Sequence, residues 1–194
     1  MIPFTPGRAG PGQGSLVLAL GNPVMSDDAV GLHVADALRA LLRAHPLRDV
    51  QVLKSQRAGF ELVEMLPGYD RAIIVDAVLA DDPVPGRVRE LSLDDLSGSR
   101  RLINAHEISL PVALEMGHRL GLAMPKEIEL IAIEAVELYT MSTTMTPPVQ
   151  AAVQPVAQRI YARLATLHEP MTADEAATAE SQRRFAWYAP DEEG

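Results

Sequence analysis

The order of apolar segments in this chain predicts a three-layer α/β/α sandwich built on a twisted, mostly parallel sheet. Two short runs, Leu16 to Leu20 and Ala72 to Leu79, are almost continuously apolar, as strands buried on both faces are. Between and after them come longer stretches with apolar residues at helical spacing, and strands that alternate with helices imply parallel crossovers. The length of 194 residues fits one domain of ordinary size, able to bury a sizeable core.

Taken in order, Met1 to Gly14 holds three prolines and four glycines with little to bury, and is expected to be a flexible leader over residues 1–14. The domain proper is expected over 15–168. Its first strand stops at the turn Gly21-Asn22-Pro23. Ser26-Asp27-Asp28 then offers N-cap oxygens and acidic first-turn residues to a helix whose stripe is Val30, Val34, Ala37, Leu38, Leu41 and Leu42. Val50 to Leu53 reads as a second strand. Phe60 to Leu66 has helical spacing and is cut by Pro67-Gly68, and Ala72 to Leu79 reads as a central third strand interrupted by Asp76. Residues 81–86 form a loop by turn chemistry, and Arg87 to Leu93 alternates polar with apolar like an edge strand. Ser109 to Leu120 is a helix closed by Gly121, Glu127 to Ile133 a strand, and Pro148 to Leu167 a last helix containing Pro155. Residues 169–194, acidic and Ala-rich without clear period, are expected to be a mostly disordered tail.

Composition closes several routes. There is no cysteine, so disulfides, thiolate metal sites and thiol nucleophiles are excluded, and any metal must be held by nitrogen and oxygen. Lys and Arg total 17 against 26 Asp and Glu, a net charge of -9 with no basic stripe for nucleic acid. No run reaches the ~18 apolar residues of a membrane span, and the N-terminus lacks a secretory pattern. A cytoplasmic, soluble protein is the expectation, with an acidic surface suited to a monomer that meets its partner briefly.

In open α/β sheets ligands bind beyond the carboxyl ends of the strands, which brings forward Asp28, Asp76 and His106. Asp28 follows the first turn. Asp76 is an acid inside an apolar strand, expensive to bury unless paired, hydrogen-bonded or bound to a metal. His106 stands in the loop Ile103-Asn104-Ala105-His106-Glu107. Two carboxylates and an imidazole meeting in one cleft would suit a borderline divalent ion with positions left open for substrate or water. The plainer readings remain: Asp27 or Asp28 as a helix cap, Asp76 as an acceptor of backbone hydrogen bonds, His106 as an ordinary loop histidine. With one glycine in the first turn there is no dinucleotide fingerprint or P-loop, Leu110 stands where a zincin needs its second histidine, and no Gly-x-Ser-x-Gly elbow occurs.

The strand end Leu20-Gly21-Asn22-Pro23, the segment Ser26-Asp27-Asp28-Ala29-Val30-Gly31, the strand Ile73-Ile74-Val75-Asp76-Ala77 and the later His106 together resemble the hydrogenase maturation protease family. The resemblance runs from about Leu16 to Leu167. It implies a twisted sheet flanked by helices, phosphorylase/hydrolase-like, and an aspartyl-type endopeptidase that removes a C-terminal extension from the nickel–iron hydrogenase large-subunit precursor after nickel insertion. It also implies that Asp28, Asp76 and His106 contact the metal and carry catalysis. Asn22 and the segment Ala58-Gly59-Phe60-Glu61-Leu62, with Gly59 and Glu61, match parts that line the substrate cleft. The chain departs from the family at Ala19 and Ala29, where glycine is common, and at Lys54-Ser55-Gln56-Arg57.

The resemblance implies nickel carried by the substrate and no tightly bound organic cofactor. A precursor without nickel would leave carboxylates facing each other without a cation, which opposes binding. Water would attack the scissile bond, with either a carboxylate as base or the metal as Lewis acid. The competing expectation is a non-catalytic module that binds or delivers a divalent metal through the same trio.

Overall fold

The computed structural model describes residues 14–56, 61–92, 102–103, 110–172 and 174–179. Strand β1 (Ser15–Leu20) leads through a single 3-10 turn (Ser26–Ala29) into helix α1 (Val30–Ala44). Then follow β2 (Val50–Ser55), the short α2 (Leu62–Met65), β3 (Arg71–Ala80), β4 (Val88–Ser92), β5 (Leu102–Ile103), α3 (Leu110–Arg119), β6 (Glu127–Glu134) and α4 (Pro147–Leu167).

The sheet runs β2-β1-β3-β6-β4, with β5 paired to β3 off that path. β1, β2, β3 and β6 are mutually parallel, and β4 closes one edge antiparallel to β6. The mostly parallel sandwich expected from the apolar runs is therefore the architecture observed. Alternation along the strands divides the core. Val17, Ile73, Val75, Ile131 and Ile133 pack with α1 and α4 on one face. Leu16, Leu18, Ile74, Val78, Leu130 and Ala132 pack with α2 and α3 on the other. Fully buried leucines such as Leu16 and Leu18 each contribute roughly 1.5–3 kcal/mol relative to exposure.

Several boundaries differ from the expectation for local reasons. β2 continues to Ser55 because its partner β1 continues to Leu20. β5 is two residues long, too short to carry any period. In α4, Pro155 is tolerated because it faces solvent, as does Ala151, whose carbonyl loses its helical donor. Beyond α4, Arg48 N–H donates to the Glu169 carbonyl at 2.9 Å and Met171 N–H to that of Pro46 at 2.8 Å, attaching this stretch to the α1–β2 connection. Thr172 and Glu175 then form a reciprocal cap for a helical stretch at 174–179.

Candidate functional site at the carboxyl ends of β1 and β3

Two glycines bring Asp28 to the sheet. A Cβ on Gly21, which has φ +147°, would collide with the Asp28 carbonyl oxygen. One on Gly31 would collide with the Leu20 carbonyl oxygen and lie 2.8 Å from that of Val75. The 3-10 turn and the start of α1 thus sit directly on the backbone where β1 ends beside β3. Asp28 is 3% exposed, and its Oδ2 accepts the Asn22 N–H at 2.7 Å. The Asn22 side chain turns to its own loop, accepting the Val24 N–H at 3.2 Å.

Asp76 is 1% exposed and takes the parity of Ile74 and Val78, on the face covered by α2 and α3. Its Oδ1 accepts the Ala77 N–H at 2.9 Å. β1 pairs with β3 as far as Ala19 opposite Val75, so Asp76 comes level with the end of β1, where the chain turns through Gly21 towards Asp28. The structure therefore brings Asp28 and Asp76 to one edge of one strand pair. Glu61 stands half-buried at the N-terminal boundary of α2, after β2. His106 and Gly59 lie outside the described residues, and among the described residues no three histidine or acidic side chains form a metal-binding group.

Two buried acids were missed as structural fasteners. Asp27 is fully buried, and its carboxylate accepts N–H groups of Val136 and Glu137 at 3.2 Å, the Thr146 N–H at 2.7 Å and the Thr146 hydroxyl at 2.9 Å. It ties the β6–α4 connection to the turn that carries Asp28. Glu134, also fully buried, accepts Arg87 Nε at 2.7 Å, Arg87 Nη2 at 2.9 Å, the Val84 N–H at 2.7 Å and Arg89 Nε. Burial pushes the Glu134 carboxyl up, but the bonds from Arg87, Val84 and Arg89 outweigh it and hold it below the usual carboxylate range. Unlike Asp76, which interrupts an apolar run, Glu134 stands at the end of its strand, where an acid draws no notice.

The family model described as HycI, hydrogenase maturation protease, matches residues 32–163. The hydrogenase 2 maturation protease of Escherichia coli (strain K12) is 28% identical over 153 residues, 77% of this chain and 89% of that protein. The structure of the hydrogenase maturating endopeptidase HybD from E. coli superposes with a TM-score of 0.67 at 25% identity, covering 84% of this chain and 99% of that one. The [NiFe] hydrogenase maturation protease HybD from Thermococcus kodakarensis gives 0.59 at 30% identity, covering 79% and 99%. An α/β sandwich with buried acids at its carboxyl edge thus belongs, by these likenesses, to the proteases. Within that class, the chain belongs to the hydrogenase maturation protease family.

Proposed function

We propose that this protein is the endopeptidase that removes the C-terminal extension of a nickel–iron hydrogenase large-subunit precursor once nickel is in place. Asp28, Asp76 and His106 dock the nickel carried by that substrate, and the protein needs no organic cofactor of its own. It works in the cytoplasm as a monomer. Consistent with that setting, no helix among the described residues is long and apolar enough to cross a membrane.

The observation that carries the reading is that two buried acids, Asp28 and Asp76, stand where β1 and β3 end side by side. His106 joins them in this proposal as the nitrogen donor. Asp28, held by Asn22 at the adjoining strand end, supplies the second oxygen ligand. Together these are the hard and borderline donors that a nickel ion accepts.

In this reading the cation of a loaded precursor relieves the repulsion between two buried acids, so binding itself tests for nickel. Water then attacks the scissile carbonyl, a carboxylate of the site takes its proton and passes it to the amide nitrogen as the C–N bond breaks, and no covalent intermediate forms.

The test is to mix the protein with a nickel-loaded and a nickel-free large-subunit precursor and follow mass loss at the C-terminus. Removal of the extension from the loaded precursor alone is expected, and Asp76→Asn should abolish it while leaving the thermal melt near wild type. Processing at the normal rate by Asp76→Asn would refute the assignment. Nickel binding without any tail release would favour a delivery module instead.

A further inference from the structure

The turn that carries Asp28 also begins an exposed apolar surface. Met25 caps that turn, three positions before Asp28, and its carbonyl accepts the Ala29 N–H at 3.2 Å. It pairs antiparallel with Met141 of the β6–α4 connection. Ser26 N–H donates to the Thr140 carbonyl and Ser142 N–H to that of Val24, each at 3.1 Å. Flanked in this way, Met25 and Met141 are the non-hydrogen-bonded kind of pair, in which opposed side chains lie closest.

The connection gives some of its apolar residues to the core and holds others out. Leu138 and Met145 are buried with α1 and α4. Tyr139 is 69% exposed and Met141 79%, and Val24 and Val136 are exposed as well. The backbone beneath them is nevertheless fastened: by Asp27 at Val136, Glu137 and Thr146, by the Ser26 hydroxyl on the Thr144 carbonyl at 3.1 Å, and by the Met25–Met141 pairing. Large apolar groups held in water on a fixed backbone make a prepared contact surface, since little ordering entropy remains to be lost on binding. Methionine and tyrosine are enriched at the centres of protein interfaces, and methionine adapts its shape to a partner. Charge agrees with this. On a chain of net charge -9, positions 21–26 hold no charged residue, and none occurs between Glu137 and Arg159.

The recess of the two acids indicates what comes to this surface. Asp28 and Asp76 are 3% and 1% exposed. An ion seated in another protein reaches them only if that protein's surface closes against the loop from Gly21 to Asp28, where Val24 and Met25 stand. We propose that Met25, Tyr139 and Met141, with Val24 and Val136, dock the folded body of the precursor through an uncharged, apolar face beside its metal site. The inference takes its partner from the proposed function and goes beyond it: affinity for the body of the substrate is supplied by this surface, apart from the residues that meet the ion.

The experiment immobilises the nickel-loaded large-subunit precursor and reads its affinity for the full chain by interferometry, with tail release followed by mass in the same samples. The variants are Tyr139→Ser, Met141→Ser, the two together, Met141→Leu, and Leu120→Ser as a control, each checked by thermal melt. Leu120 is 60% exposed and lies between α3 and β6, at the opposite end of the sheet. Each single Ser variant should bind about tenfold more weakly and the pair more weakly still, with melts at the wild-type value. Should the pair lower the melt, the single variants decide. Met141→Leu and Leu120→Ser should keep wild-type affinity. Unchanged affinity in the Ser variants, an equal loss from Leu120→Ser, or no binding by the wild-type chain would each overturn the surface. So would a wild-type dimer, seen by sedimentation, that the double variant dissolves, because the patch would then belong to a second copy of the chain. Tail release judges the proposed function separately. Patch-dependent binding without release removes the peptidase and keeps the surface, whereas normal release with unchanged affinity in the Ser variants removes the surface alone.

Discussion

Asp27 and Asp28 are consecutive on one 3-10 turn, and their carboxylates hold different parts of the chain. Asp27 binds the backbone of the β6–α4 connection at Val136, Glu137 and Thr146, whereas Asp28 binds Asn22 in the turn after β1. One acid of the pair closes a distant loop and the other remains at the edge where β1 and β3 end.

This division separates two variants. Asp27→Asn puts an amide N–H₂ among donors that need an acceptor, which should cost about 2 kcal/mol and lower the melting temperature by about 5 °C. Hydrogen exchange should quicken across residues 136–146. Asp28→Asn keeps an oxygen for the Asn22 N–H, so its melt should stay within about 2 °C of wild type while precursor processing is lost. Similar melts for the two variants would contradict the division.

Gly31→Ala tests the seat of the turn. Its new methyl would meet the carbonyls of Leu20 and Val75, both backbone and unable to rotate away. A loss of about 1–3 kcal/mol is expected by urea unfolding. Processing should fall as well, because the displaced segment carries Asp28.

Glu134 makes the fold acid-sensitive. Its folded pKa lies below the unfolded one, so its stabilisation is complete above the unfolded value, near 4.3, and is lost as pH falls through the folded value. Glu134→Gln should lower stability by about 2 kcal/mol at pH 7, and urea midpoints of variant and wild type should converge towards pH 3. A constant gap across that range would show that the carboxylate charge is not what matters.

His168 sets a second, milder limb. Burial pushes its pKa down, and its Nε2 lies 2.8 Å from Ser15 Oγ at the start of β1. Because the unfolded ring takes a proton more readily than the folded one, stability should decline as pH drops through about 6.5 and level off below the folded pKa. Substitution His168→Gln should flatten that limb in melts between pH 8 and 5.

Most of the architecture was legible because strands buried on both faces leave unbroken apolar runs, as at Leu16–Leu20 and Ala72–Leu79, and α1 leaves a clean stripe. Asp76 was legible for the converse reason, as an acid inside such a run. What sequence could not distribute was the work of adjacent acids: whether Asp27 or Asp28 serves the loop depends on where residues 136–146 return, more than a hundred positions later. Glu134 was hidden likewise, since its arginines arrive from another strand. β5 escaped because two residues have no period. The sandwich and the family were thus readable, while the fasteners around the site were tertiary facts.

The crowding at Gly21 and Gly31 also bears on how such a chain can drift. What fills the missing methyl positions is main chain, the Asp28 carbonyl in one case and the Leu20 and Val75 carbonyls in the other. No exchange of neighbouring side chains can make room. Ala19, by contrast, is a regular strand residue with its Cβ accommodated in the core. Between the end of β1 and the first turn of α1, then, two glycines are locked by main chain, whereas position 19 carries a methyl group.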